Sequence, residues 1–451
     1  MPRRIRRGRL ADHGADVHLK DEPAGGGVQP VIIVRPTRVR YIVLAMTVAA
    51  YMITYMDRVV ISSAAPVIQK EFGFSLVTMG WILSSFNWGY ALFQIPGGWL
   101  GDRIGPRRAL ALIVSWWSIF TSLTAAGWST ASMVTIRFLF GVGESGAFPT
   151  ATRSLSRWLL PGERGFAQGI THAGSRLGGA LTPPLVVLII TRYNWRAAFL
   201  VFGVVGLAWA AAWFLYYRDT PEQHSGVNSA ELDLIHSTSG GPRPRAGSSI
   251  PWRLIFSSST LWYLSLMYFC YNYCLNMYLN WFPTYLKDYR GYSLKQMGLY
   301  ASLQLLAGTV GDLAGGWISD ILLRGSANIN RSRRLVAVAG FVVAATAILP
   351  ATLTKDPQTC VFFSCIAFFG LEVTVGVSWA IPLDIGGDYA GSVSSVMNMC
   401  GNIGGAISPT ALAYLVRGFG WNVPFLVASG LCVIAAALYG KIDAGKRIRS
   451  A

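Results

Sequence analysis

The feature that most constrains this chain is that it repeats itself at long range. Gly98-Trp99-Leu100-Gly101-Asp102 recurs as Gly316-Trp317-Ile318-Ser319-Asp320, 218 residues on. Leu177-Gly178-Gly179-Ala180-Leu181-Thr182-Pro183 recurs as Ile403-Gly404-Gly405-Ala406-Ile407-Ser408-Pro409, 226 residues on. Tyr193-Asn194-Trp195 with Phe199 recurs as Phe419-Gly420-Trp421 with Phe425, again at 226. The chain must therefore fold into two similar halves.

Its composition says where those halves sit. Of 451 residues, 53% are apolar and 13% charged, against about a quarter charged in a soluble protein. Charge-poor runs of membrane-crossing length, about 20 residues, fall at 40–65, 78–100, 108–128, 131–155, 166–191 and 196–217. The second half holds 259–286, 296–322, 333–354, 360–381, 389–416 and 421–440. The fold class expected is all-α: twelve transmembrane helices in two pseudo-symmetric six-helix bundles. Paired repeats in a membrane point to a transporter with its site between the halves. The expected division is a basic, disordered cytoplasmic tail over 1–39, a first bundle over 40–217 and a linker over 218–258. A second bundle over 259–440 and a tail over 441–451 complete it.

The net charge of +17 is a topology signal. An even span number puts both termini on one side, which carries 27 Lys and Arg against 8 on the other; Arg58, Arg137 and Arg176 lie inside spans. By the positive-inside bias both termini are cytoplasmic, in a bacterial inner membrane. The basic side faces anionic lipid headgroups, so the bilayer, and no nucleic acid, is the expected partner. Cys270, Cys274, Cys360, Cys365, Cys400 and Cys432 all lie in or at the ends of apolar spans. They read as packing residues, with no metal spacing and no disulfide framework. No metal or organic cofactor is expected.

Charges inside spans are costly and mark pathways. Span 1 carries Asp57-Arg58. Span 4 carries Arg137 and Glu144, seven residues and so two turns apart on one face. Two acids and two bases can form a network that exchanges partners. A substrate carboxylate can take Arg58 from its acid, and a carboxylate without its cation in a low-dielectric site holds a proton more readily. His172 and Arg176 are four apart on one face of span 5, where the arginine suits a second anion contact, as for a dicarboxylate, or the two lie near helix-packing polar groups or the cytoplasmic mouth. Glu372 in span 10 is a further membrane acid, able to pair with Arg176 or to serve as an alternative proton site. Asp312 in span 8 reads as structural. Of Tyr268, Tyr271, Asn272 and Tyr273 in span 7, at most two face the same way.

The loop Gly98-x-Leu100-Gly101-Asp102-Arg103-x-Gly105-Pro106-Arg107-Arg108 resembles the signature of the major facilitator superfamily. The copy around Gly316 and Asp320 is degraded. By that resemblance these loops are gating parts that latch the halves. The Asp57-Arg58 pair, Arg137…Glu144-x-x-x-Phe148-Pro149, and Trp281-Phe282-Pro283-Thr284-Tyr285-Leu286 resemble the anion:cation symporter family within it. So does Gly391-x-Val393-x-x-x-Met397-Asn398-x-x-Gly401-Asn402-x-Gly404-Gly405-x-x-Ser408-Pro409. The resemblance runs over about residues 40 to 440. It implies that Arg58 binds a substrate carboxylate, and that Asp57 and Glu144 take protons with Arg137 as partner. Tyr90 would hydrogen-bond substrate, with Trp379, Asn398 and Asn402 on the other wall. The asparagines suit sugar hydroxyls, or helix packing in the case of Asn402. Tyr271 and Arg176 complete the expected substrate set; His172, Glu372 and Tyr268 are secondary candidates.

The function expected is import of an organic anion, a hexonate, hexuronate or aldarate, by proton symport with alternating access in a functional monomer. An aromatic carboxylate, and sodium coupling or exchange, stay open. A transporter-like sensor would need a cytoplasmic domain, which the linker is too short to hold. A membrane enzyme would need a nucleophile–base constellation that the spans lack.

Overall fold

The computed structural model describes residues 8–9, 16–17, 32–33, 35–160, 163–238, 252–326, 328–386 and 390–444. The tail expected to be disordered, 1–39, lies largely outside the described residues; within it are three two-residue strands, Gly8–Arg9, Asp16–Val17 and Ile32–Ile33. Residues 441–444 are described, and the rest of the C-terminal tail lies outside.

Fourteen α-helices follow among the described residues. The first half holds α1 (Val39–Phe72), α2 (Leu76–Thr124), α3 (Thr130–Glu144), α4 (Ala147–Trp158), α5 (Arg164–Arg192) and α6 (Trp195–Tyr216). The linker carries α7 (Ser229–Thr238) and α8 (Trp252–Phe256). The second half holds α9 (Ser259–Thr284), α10 (Leu294–Ser326), α11 (Ile329–Leu353), α12 (Pro357–Gly386), α13 (Ala390–Phe419) and α14 (Asn422–Gly440). Local signals start many of them. Ser75, Ser129, Asn194, Ser258 and Asn328 each cap a helix with a side-chain oxygen on a free backbone N–H.

Helix count and span count differ for two local reasons. The 49-residue α2 is two crossings folded at Gly105, whose φ of 79° suits glycine and strains other residues. Crossing four is α3 plus α4, broken at Ser145-Gly146. At that break the chain touches α2: a Cβ on Gly146 would sit 2.6 Å from the Gly97 carbonyl oxygen, and one on Gly97 would sit 2.6 Å from the Gly146 nitrogen. Ser145 Oγ donates to the Phe93 carbonyl at 3.0 Å and to that of Val142 at 2.7 Å. Among the described residues, six helix segments are long and apolar enough to cross a membrane, in α1, α5, α6, α11, α12 and α14. Among the others, α2, α9, α10 and α13 border the seam between the halves, where polar side chains replace apolar ones.

The two bundles pack alike. In the first, α1 lies on α5 and α2 on α3 and α6; in the second, α9 lies on α13, α10 on α12, and α11 on α14. The halves then meet along α2–α13 and α5–α10, with α1 against α9. These two seams are copies of each other at the offsets visible in the sequence. On one, a Cβ at Gly80 would lie 2.9 Å from the Pro409 carbonyl oxygen, and Ser84 Oγ shares a hydrogen bond with Thr410 Oγ1 at 2.8 Å. On the other, a Cβ at Gly298 would lie 3.2 Å from the Pro183 carbonyl oxygen, and Ser302 Oγ donates to the Ala180 carbonyl at 2.6 Å. Gly298 and Ser302 stand 218 after Gly80 and Ser84; Pro183 stands 226 before Pro409. At Gly80 the helices touch backbone to backbone, whereas at Gly298 an added Cβ would first meet the Val187 side chain, at 2.8 Å.

The linker is tied to the first bundle. Thr37 Oγ1 donates to Glu231 Oε2 at 2.5 Å, Arg40 pairs with Glu231 at 3.1 Å, and Asn228 Nδ2 donates to the Arg35 carbonyl at 2.7 Å. Residues 35–38, expected within the tail, instead hold α7 against the start of α1.

Candidate functional site

Midway along the bundle, α1 presents Asp57 and Arg58 to different neighbours. Arg58 reaches the end of α3 and pairs with Glu144 through both Nε and Nη2 on the same oxygen, Oε1. Its guanidinium carbon is ringed by aromatics: 4.8 Å from the Tyr90 ring, 5.1 Å from Phe86, 5.3 Å from Tyr55 and 5.7 Å from Phe148. Such rings attract a cation by their faces while keeping the site apolar. The Arg58 side chain stays 20% exposed while Glu144 is fully buried, so an anion from the cavity meets the arginine first. Glu144 Oε2 has no hydrogen-bond partner among the described residues.

Asp57 is fully buried and turns the other way. Its Oδ2 accepts from Trp117 Nε1 at 3.0 Å, a donor in the second crossing of α2, and its Oδ1 is unpartnered among the described residues. Arg137 is 2% exposed and lies against Phe140 at 4.4 Å and Phe86 at 5.4 Å. Among the described residues it has no ion-pair partner, and its Nε and Nη1 have no acceptor. Among these four charges the close ion pair is Arg58–Glu144, while Asp57 is held by Trp117 and Arg137 lies against aromatic rings within electrostatic reach of both acids. The helical repeat does put Arg137 and Glu144 on one face, but the break after Glu144 hands the carboxylate to Arg58.

A second charged cluster crosses between the halves. Arg176 on α5 pairs with Glu372 on α12 at 2.8 Å, Nη2 to Oε2. Its Nη1 donates to the Tyr55 hydroxyl at 2.8 Å, and its Nε lies 4.0 Å from Asp312 Oδ2 on α10. Glu372 Oε1 accepts from the Tyr271 hydroxyl at 3.0 Å. Tyr271 stacks on Tyr268 at 5.3 Å, and the Tyr268 hydroxyl accepts from Trp379 Nε1 at 2.9 Å. The pair of span 7 tyrosines that shares a face is therefore Tyr268 and Tyr271. His172, one turn before Arg176, meets the Tyr51 ring edge-on at 5.9 Å.

The other wall is neutral. Asn402 Nδ2 donates to Gln94 Oε1 at 3.3 Å, and Asn398 lies half-buried one turn earlier on α13. Gln94 stands 218 before Asp312, and Arg176 stands 226 before Asn402. The contact Gln94–Asn402 on one seam and Asp312–Arg176 on the other are therefore repeat copies, one polar and one ionic. Tyr55, Trp117 and Gln94 join the site from outside the sequence candidates. The repeat offsets mark Gln94 and Asp312; only tertiary contact marks Trp117. Asp312, expected to be structural, faces Arg176.

The signature loop lies apart from this cavity. Gly105 abuts Asp219, whose Oδ1 accepts from the Arg107 backbone N–H at 3.0 Å; Arg107 Nε donates to the Phe214 carbonyl at 2.9 Å, and Arg103 lies over the Trp99 ring. These contacts are all within the first bundle and its linker. A Cβ on Gly98 would lie 3.7 Å from Pro149, while one on Gly316 would meet nothing within 4 Å. The side chains of Asp102 and Asp320 lie outside the described residues.

The profile of the Major Facilitator Superfamily matches residues 47–409. The chain belongs to that superfamily. It is a multi-pass membrane transporter and not an enzyme. It is 40% identical over 400 residues to a probable sulfoacetate transporter of Cupriavidus necator, covering 88% of this chain and 93% of the relative. It is 31% identical over 420 residues to a D-galactonate transporter of Escherichia coli, covering 91% and 97%. With a hexuronate transporter of Bacillus subtilis it shares 32% over 391 residues, 86% and 90% of the two chains. These three relatives are named as transporters of small organic anions. The fold matches a bacterial homolog of the human lysosomal transporter Spinster, in an inward-facing and unoccupied conformation, with a TM-score of 0.74 at 19% identity over 89% of this chain and 96% of the other.

Proposed function

We propose that this transporter imports a small organic anion across a bacterial inner membrane by proton symport, with both termini cytoplasmic. The observation that carries the reading is the Arg58–Glu144 pair: a partly exposed cation in an aromatic ring, held by a fully buried acid. An anion that reaches Arg58 competes with Glu144 for one fork of donors. When it wins, the carboxylate is left buried without its cation, and protonation is the cheapest way to neutralise it. Substrate and proton then stabilise the same loaded state, which is the thermodynamic requirement for coupling. Asp57, held by Trp117, serves as the second proton site, and Arg137 sets the field around both acids. Tyr90, Asn398, Asn402 and Trp379 line the cavity and select among anions. The names of the relatives support a sulfonated acid, a hexonate or a hexuronate as the substrate class.

Alternating access then amounts to rocking one bundle on the other about these central charges. The seams at Gly80–Pro409 and Gly298–Pro183 lie toward the end where α1 turns into α2, and support a state closed at that outer end.

The test is uptake of labelled sulfoacetate, galactonate and glucuronate into proteoliposomes. Uptake of one of them should rise several-fold when the outside is made acidic relative to the lumen. Uptake that ignores the imposed pH gradient would remove proton coupling. Uptake of none of them would remove the organic-anion reading.

A further inference from the structure

The site holds a second arginine built like the first. Arg58 and Arg176 each pair with a buried acid, Glu144 and Glu372. Each of these acids comes from the fourth crossing of its bundle. Both arginines also lie on one ring: the guanidinium carbon of Arg58 is 5.3 Å from the Tyr55 centroid and that of Arg176 is 5.2 Å from it. Their separation is therefore capped at about 10.5 Å, the sum of those two distances. A guanidinium carbon stands about 4 Å from the centre of an acid group it binds through N–H···O contacts of about 2.8 Å. One small molecule with two acid groups can therefore reach both guanidinium groups.

We infer that the substrate is a dianion, with one acid head on Arg58 and the other on Arg176. The inference rests on the organic-anion reading above and narrows it. A monoanionic sugar acid can engage Arg58 but leaves Arg176 with Glu372.

The site is equipped to release Arg176 as well as to hold it. Glu372 keeps the Tyr271 hydroxyl when the guanidinium moves to substrate. Arg176 also stays on the Tyr55 hydroxyl, which steadies it between its acid and the second head. The exchange has a mechanical consequence. Arg58–Glu144 lies within the first bundle, whereas Arg176–Glu372 joins the two. The second head of a dianion thus replaces an ion pair between the halves, so that loading and rocking are one event. A monoanion leaves that pair intact. The repeat explains how this arose in one place: the copy of the Asp312–Arg176 contact is the uncharged Gln94–Asn402 contact.

The experiment is binding to the purified full-length transporter by calorimetry. The probes are sulfoacetate (sulfonate and carboxylate on one carbon), its monoanionic amide sulfoacetamide, and galactonate. The wild type should bind sulfoacetate roughly 10- to 100-fold more tightly than sulfoacetamide, the range for one charge-assisted contact. Arg176→Gln should bring that ratio close to one. Arg176→Lys, which keeps the charge without the fork, should restore part of the ratio. The wild-type ratio decides the question even if Arg176→Gln does not fold. Equal wild-type affinity for sulfoacetate and sulfoacetamide, or binding of galactonate but neither of them, overturns the dianion inference and leaves the organic-anion reading standing. Binding of no anion by folded protein overturns both.

Discussion

The paired seams make a prediction about the whole machine. A Cβ at Gly80 would sit 2.9 Å from the Pro409 carbonyl oxygen, 3.0 Å from the Ala413 Cβ and 3.2 Å from the Thr410 Cα. Two of these atoms are backbone, and the third cannot rotate away. Gly80→Ala therefore forces α2 and α13 apart by some tenths of an ångström where they are packed. Overpacking of this kind costs about 1–3 kcal/mol. The cost falls only on the state in which this end is closed, because an opened seam does not make the contact. An equilibrium shifted by 1–3 kcal/mol changes by roughly 5- to 150-fold. Since the bundles rock as bodies, the wedge at Gly80 should expose the other seam. The reporter is Ser302→Cys in a background freed of the native cysteines. Ser302 is 8% exposed and donates to the Ala180 carbonyl of α5. Labelling by a membrane-impermeant maleimide should accelerate by at least about 5-fold on adding Gly80→Ala. An unchanged rate at Ser302, with a raised rate at Ser84→Cys beside the wedge, would refute rigid-body rocking and leave a local distortion. An unchanged rate at both would refute the claim that the glycine carries the closed state.

Other outcomes follow from the same geometry. Arg58→Lys keeps the charge but loses the fork onto Glu144 and substrate, so binding in calorimetry should weaken by roughly tenfold or more; wild-type affinity would remove Arg58 as the anchor. Glu144→Gln keeps an acceptor for Arg58 while removing the titrating group. It should support exchange of labelled for unlabelled substrate yet fail to accumulate it against a gradient, and retained uphill accumulation would count against Glu144 as a coupling site. Gly105→Ala places a side chain at a φ of 79° against the Asp219 carboxylate. It should destabilise the first bundle by about 1–3 kcal/mol, because φ 79° with ψ 154° is a region only glycine readily adopts, seen as a lower melting temperature in detergent; an unchanged one would show that the turn relaxes freely.

Much of the fold is legible in the sequence, because lipid leaves the chain few options. A polar backbone in hydrocarbon must satisfy itself within each segment, so the charge-poor runs become helices and their number becomes the topology. The places where runs and helices disagree are also local. Gly105 folds two crossings inside α2, and Ser145-Gly146 splits one into α3 and α4. Both mark backbone conformations or close approaches that an apolar count does not register.

The site divides differently. Residue type and spacing single out Asp57, Arg58, Arg137 and Glu144, since a charge in a span is expensive enough to need a purpose. They do not say which acid meets which base. Spacing alone gives Arg137 and Glu144 equal claim to one face, and only the packing of α1 on the end of α3 gives Glu144 to Arg58. Trp117 becomes the partner of Asp57 through a contact 60 residues apart in sequence.

What the sequence by itself determined is the set of helices, their twofold repetition and the inventory of buried charges. Each of these follows from local solvation energy and from offsets countable along the chain. What only the tertiary structure decided is the wiring. Arg176 and Glu372 are 196 residues apart, and nothing local to either specifies the other. Their pairing exists because the α5–α10 seam brings the bundles into contact, and a charge buried at that contact must find its counter-charge on the opposite wall.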